Sequence, residues 1–126
     1  MREILFRGKT LLGKWIEGDL LNYLGCGKVH IAQNYKGAGG QEVIPETVGQ
    51  YTGLTDKNGK KVFEGDIVKL FYKDGFEIGL IGWSNIDFRY KFASPDGTAY
   101  GFDVTDTFEI IGNIHDNPEL LEGQNK

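Results

Sequence analysis

The chain has 126 residues, 40 % of them hydrophobic and 13 % aromatic, which suits one domain with a modest core and argues against wholesale disorder. A formal net charge of −4 opposes a strong non-specific grip on nucleic acid, and no apolar run is long enough to span a membrane as a helix. A single cysteine, Cys26, excludes an internal disulfide framework, and nineteen glycines without a collagen period read as turns between short strands. Charge is uneven: residues 1–102 sum to +1 and residues 103–126 to −5. The opening Met1-Arg2-Glu3-Ile4 has no apolar stretch of signal-peptide type, so the cytoplasm is the expected compartment.

Ile4-Leu5-Phe6 reads as a first strand, ending in the Arg7-Gly8-Lys9 region. Lys14–Ile16 and Leu20–Leu24 read as two strands with Glu17-Gly18-Asp19 turning between them. Gly25-Cys26-Gly27 then separates Leu20–Leu24 from Lys28–Ala32, as in a hairpin. Gln33 to Gln41 reads as a mobile loop. It lacks the Lys-Ser/Thr pair and following helix of a phosphate-binding loop. Pro45 belongs at an edge or strand start, because proline removes a ladder donor. Thr47–Leu54 follows, and Asn58-Gly59 marks the next turn.

From Asp66 the alternation is clearest. Val68, Leu70 and Tyr72 line one face, Asp74-Gly75 permits a two-residue turn, and Phe76, Ile78 and Leu80 alternate with Glu77, Gly79 and Ile81 toward Trp83. Ile86 to Phe92 alternates again, which predicts a strand that sends Ile86, Phe88, Tyr90 and Phe92 into one dry interior. Ser94-Pro95-Asp96-Gly97 turns into Thr98–Phe102, and Thr107–Ile111 is the last strand. Asn117, Pro118 and Glu119 suit the start of a short helical turn carrying Leu120 and Leu121.

One pattern occurs twice: Lys14-Trp15-Ile16-Glu17-Gly18-Asp19-Leu20-Leu21 returns as Lys61-Val62-Phe63-Glu64-Gly65-Asp66-Ile67-Val68. The two segments either begin equivalent strands in related halves or coincide by chance. Eight or nine strands, mostly antiparallel, make a mainly β fold: a compact SH3-like or related partly open barrel. Its barrel-like subregion is 61–112, its N-terminal β extension 1–54, and its end a short C-terminal helical turn, all within a single domain, 1–126.

Phe6-Arg7-Gly8-Lys9, Trp15 with Glu17-Gly18-Asp19, the block Thr47 to Gly59, Phe63-Glu64-Gly65-Asp66-Ile67-Val68 and the closing run Phe108 to Leu121 together resemble the YopX family of phage and prophage proteins. Residues 33–41 and 84–106 match least. The resemblance implies a mainly β protein of a phage or integrated prophage, with self-association as an option. It implies no activity, cofactor or catalytic residue.

The residues themselves assign no catalytic, cofactor-binding or metal-binding role. Cys26 has no partner legible in sequence, and neither His30 nor His115 has an acid–base assignment. Asp103, Asp106, His115 and Asp116 lack the spacing of a zinc or calcium site, which leaves a metal-dependent enzyme as the weakest reading. Glu17, Asp19, Glu64 and Asp66 converge only if the repeated segments meet. Two binding readings compete. A nucleic-acid surface would use Lys57, Lys60, Lys61, Lys69 and Lys73 with Phe71, Tyr72, Phe88 and Tyr90. A non-enzymatic interaction or assembly module, joining a protein partner or a homo-oligomer, would use Trp15, Trp83, Leu120 and Leu121 as apolar anchors. The second is the expectation.

Overall fold

A computed structural model describes residues 3–22, 27–33, 40–101 and 107–122. Among these the fold is mainly β. In chain order the elements are β1 (Phe6–Lys9), β2 (Trp15–Asn22), β3 (Val29–Ala32), β4 (Gln41–Val43), a 3-10 turn (Pro45–Thr47), β5 (Gly49–Thr55), β6 (Lys61–Phe63) and β7 (Asp66–Tyr72). Then come β8 (Gly75–Ser84), β9 (Arg89–Ala93), β10 (Ala99–Gly101), β11 (Phe108–Asn113) and α1 (Glu119–Glu122). They form two antiparallel sheets, ordered β4-β3-β2-β1-β5-β6 and β10-β9-β8-β7-β11, and no closed barrel is present among the described residues. The chain divides into two compact units, Met1–Tyr51 and Thr52–Lys126, with β5 running through the boundary.

In the first unit, the core is Ile16, Ile31 and Val43, with Phe6, Leu20, Val29 and Val48 packed against it. Two expectations move here. The first strand covers Arg7-Gly8-Lys9 rather than stopping there. More consequentially, Glu17-Gly18-Asp19 is no turn but the middle of one unbroken strand, β2. Phe6 lies opposite Gly18 on one side of it and Ala32 opposite Asp19 on the other, so ladder partners on both edges outweigh the local turn preference. The hairpin β2–β3 forms as expected. Its turn residue Cys26 and most of the Gln33–Gln41 loop lie outside the described residues. Pro45 opens the 3-10 turn instead of a strand, a position where its missing N–H is harmless.

In the second unit, Val62, Val68, Leu70, Ile81, Phe92 and Phe108 form the core, with Leu54 and Ile110 against them. Register explains the set. Val68 lies opposite Gly79 and Ile110, Leu70 opposite Phe108, and Ile81 opposite Phe92, so these side chains share one face. The expected alternation holds along β8: Gly79 and Ile81 lie on its buried face, and Phe76, Ile78 and Leu80 on the other. The β7–β8 turn is Lys73-Asp74, because Tyr72 pairs with Gly75.

The predicted strand Ile86–Phe92 is also corrected. Residues 85–88 form a turn, β9 starts at Arg89, and of the four expected interior side chains only Phe92 is buried. Ser84 causes the break: its carbonyl accepts the Phe88 amide at 2.8 Å and its hydroxyl accepts the Asp87 amide at 3.2 Å. Phe88 takes a left-handed backbone, φ 55, and is 75 % exposed.

The repeated segments are not structural equivalents. The first copy runs straight through β2, between β1 and β3. The second bends at Glu64-Gly65 between β6 and β7, and β7 pairs with β8 and β11.

The outer edge of β11 is stoppered. Lys57 donates its amide to the Phe108 carbonyl at 3.0 Å, and Asp56 Oδ2 accepts the Ile110 amide at 3.0 Å. Asp56 Oδ1 also accepts the amides of Asn58 (2.9 Å) and Lys60 (3.0 Å), closing the Asn58-Gly59 turn. Burial pushes the Asp56 carboxyl up, but the amides of Ile110, Lys60 and Asn58 and the nearby Lys60 charge outweigh it and hold the group below its ordinary value.

Candidate interaction groove

The face formed by β8, β9 and β10 of the five-stranded sheet carries an open, largely apolar hollow. Cross-strand register places Leu80, Ala93 and Ala99 in one row over β8, β9 and β10, and Gly82, Lys91 and Gly101 in the next. Small residues at Gly82, Ala93 and Ala99 leave a depression of about 540 Å³, whose lining also includes Leu80, Trp83 and Ile86. That volume falls within the range of ligand pockets.

At the groove's wall, the Ser84–Phe88 turn holds Ile86 in solvent, 89 % exposed, two residues before the exposed Phe88. Trp83 is held in place rather than free to swing: its Nε1 donates to Asn85 Oδ1 at 2.9 Å, and its ring meets Tyr90 edge-on at 5.0 Å. Lys91 and Asp87 form an ion pair on the rim. Contiguous exposed apolar side chains around a hollow are the usual mark of a docking surface.

Of the predicted apolar anchors, Trp83 stands at this groove. Trp15 lies in the first unit, half-buried, with the Arg7 guanidinium 4.9 Å and the Lys9 ammonium 6.0 Å from its ring centre. Leu120 and Leu121 are half-buried on α1, which lies against β8. Leu120 packs so closely over Gly112 that a methyl group there would sit 2.8 Å from its Cδ1. Asn117 Oδ1 reaches back to the Asn113 amide at 3.3 Å.

Of the predicted lysines, Lys57 and Lys69 meet at the Phe71–Phe76 cross-strand pair. Lys57 sits 4.9 Å from the Phe71 ring centre and Lys69 4.4 Å from that of Phe76, while Lys60, Lys61 and Lys73 are exposed at strand ends and turns. Glu109 lies opposite Lys69, and Tyr72 donates its hydroxyl to Glu77 at 2.6 Å, so acids interleave the bases.

No group of three His, Cys, Asp or Glu side chains that could hold a metal occurs among the described residues. Asp103 and Asp106 lie outside them. The amides of His115 and Asp116 both donate to Asn113 Oδ1, at 3.0 and 2.9 Å, in a turn. Glu17 and Asp19 lie on a strand of the first unit, whereas Asp66 is buried in the second and accepts the Phe63 amide at 2.8 Å.

The sequence showed Gly82, Ala93 and Ala99 as unrelated small residues; only register puts them side by side. Ser84-Asn85 together with Asp87 was the legible sign of the turn that exposes Ile86.

No curated protein matches the chain. Among solved structures it is similar to protein EF1440 from Enterococcus faecalis, with 22 % identity and a TM-score of 0.52 over 96 % of this chain and 99 % of that one. At that identity the likeness concerns fold alone. The YopX protein family matches residues 5–122, nearly the whole length, and the chain therefore belongs to the YopX family.

Proposed function

We propose that the protein is a non-enzymatic interaction module that docks an apolar segment on the outward face of β8, β9 and β10. One observation carries this reading: a groove of about 540 Å³ is lined by the small residues Gly82, Ala93 and Ala99 and by the solvent-facing Ile86. Leaving such surface in water is unfavourable by about 25 cal/mol per Å², which a docked apolar side chain recovers. The nucleic-acid reading has less support. The ammonium groups of Lys57 and Lys69 lie over Phe71 and Phe76, ring faces that stacked bases would need.

Selection of a displayed random-peptide library on the purified chain tests the docking. The expected result is a set of apolar peptides whose binding is lost in Gly82→Val, a change that fills the groove. If every selected peptide binds the variant as well as the parent, this face is not the docking site.

A further inference from the structure

Resting on the docking reading above, we infer that the apolar segment binds as an added strand: an extended peptide of another protein pairs antiparallel with the free edge of β10 and sends an alternate side chain into the hollow. β10 ends the five-stranded sheet, with β9 as its partner strand. The Ser94 amide donates to the Thr98 carbonyl at 2.8 Å, which makes Ser94 and Thr98 a hydrogen-bonded pair. Alternation makes Phe92 and Tyr100 the next such pair, so Ala99 opposite Ala93 and Gly101 opposite Lys91 turn their main-chain groups the other way. The amides and carbonyls of Ala99 and Gly101 therefore point out of the open edge. They bond no other described residue.

Those groups define the occupant. Water satisfies them in the free chain, but a side chain entering the adjoining hollow displaces that water, and the groups then need protein partners. An extended main chain supplies donors and acceptors at the matching spacing. In such strand addition, main-chain bonds give affinity and alternate side chains give specificity.

The two edges of the sheet differ in a way that favours β10. Asp56 and Lys57 occupy main-chain groups of β11. Ala99-Tyr100-Gly101, all exposed, has none of the devices that blunt an edge: no proline, no lysine and no bulge. Ala99 also joins the edge to the hollow, since its main chain faces outward while the residue lines the groove. A side chain opposite Ala99 on the added strand stands about 5 Å away, at the hollow's mouth. The Arg89 guanidinium lies over Gly101, so the same-face residue opposite Gly101 meets a cation and is best an acid.

A synthetic peptide taken from the library selection, titrated against the full chain, tests the proposal. The selected peptides are expected to carry an apolar residue with an acid two positions earlier. Methylating the peptide's backbone amides one at a time should weaken binding about tenfold at every second position and little in between, because a strand bonded along one side uses alternate amides. Ala99→Pro removes an outward amide and no ladder bond to β9, so it should weaken the peptide about tenfold with the thermal melt unchanged. If proline unfolds the edge, the methylation scan decides alone. A scan without period two overturns strand addition, and Gly82→Val sensitivity of the same peptide then leaves docking standing. A peptide indifferent to Gly82→Val sinks both. A chain that dimerises on its own, through an edge that Ala99→Pro closes, makes the occupant a second copy and overturns the proposal.

Discussion

Glu17-Gly18-Asp19 and Glu64-Gly65-Asp66 are the same tripeptide, each flanked by paired apolar residues, yet one is mid-strand and the other a bend. Each glycine is needed for a different reason. Gly18 permits close approach: a methyl group there would lie 2.1 Å from the Ala32 carbonyl oxygen. Gly65 supplies a positive φ of 93, with its amide bonded to the Ile81 carbonyl and its carbonyl bonded to the Ile114 amide. The aspartates diverge as well. Asp19 is exposed, whereas Asp66 is 1 % exposed and takes the Phe63 amide. A local motif thus fixes a set of permitted conformations, and the strands on either side select among them.

The sharpest way to break that contrast is Gly18→Ala. The added methyl collides with backbone rather than with a flexible side chain, so a loss of about 3 kcal/mol is expected from denaturant unfolding. A loss under half of that would mean the β2–β3 pair yields easily and close approach is not what holds glycine there. Asp66→Ala should cost about 2 kcal/mol, because it leaves the buried Phe63 amide without its carboxylate acceptor.

Acid probes the hairpin that leads into the second copy. The Asp56 carboxyl titrates below its ordinary range when folded, so its contribution is complete above the unfolded-state value and is lost as pH falls through that value to the lowered folded one. Amide exchange of Ile110 and Asn58 should accelerate across that acid window relative to Gly18, after correction for the intrinsic pH dependence of exchange. Unchanged protection at Ile110 would remove Asp56 as the tie between turn and strand. Least affected should be Asp19→Ala, within about 0.5 kcal/mol, as expected of an exposed site. A value near that of Asp66→Ala would erase the difference between the copies.

Much of the β content was legible, for a physical reason. The β7–β8 hairpin combines period-two alternation with a turn short enough to fix register, though the turn itself lies one residue earlier than Asp74-Gly75 suggests. The reading failed where local polar chemistry competed with alternation. Across Ile86–Phe92 the apolar period is intact, but Ser84 captures two amides and turns the chain before the strand can start. Likewise Glu17-Gly18-Asp19 has turn-forming residues, but two neighbouring strands supply ladder partners that sequence does not display. The groove was illegible for a third reason. Trp83 marked the right neighbourhood, but a hollow consists of what is missing, and the alignment of Gly82, Ala93 and Ala99 is a property of three strands together.

The Asp56–Ile110 bond bears on how far this protein could polymerise. With Lys57 and Asp56 occupying main-chain groups along β11, that flank of the five-stranded sheet is closed to strand addition from another molecule. A fibril extends only when both flanks accept newcomers. A sheet corked on one side terminates where it began, which makes discrete assemblies compatible with this unit and endless edge-to-edge stacking through it incompatible.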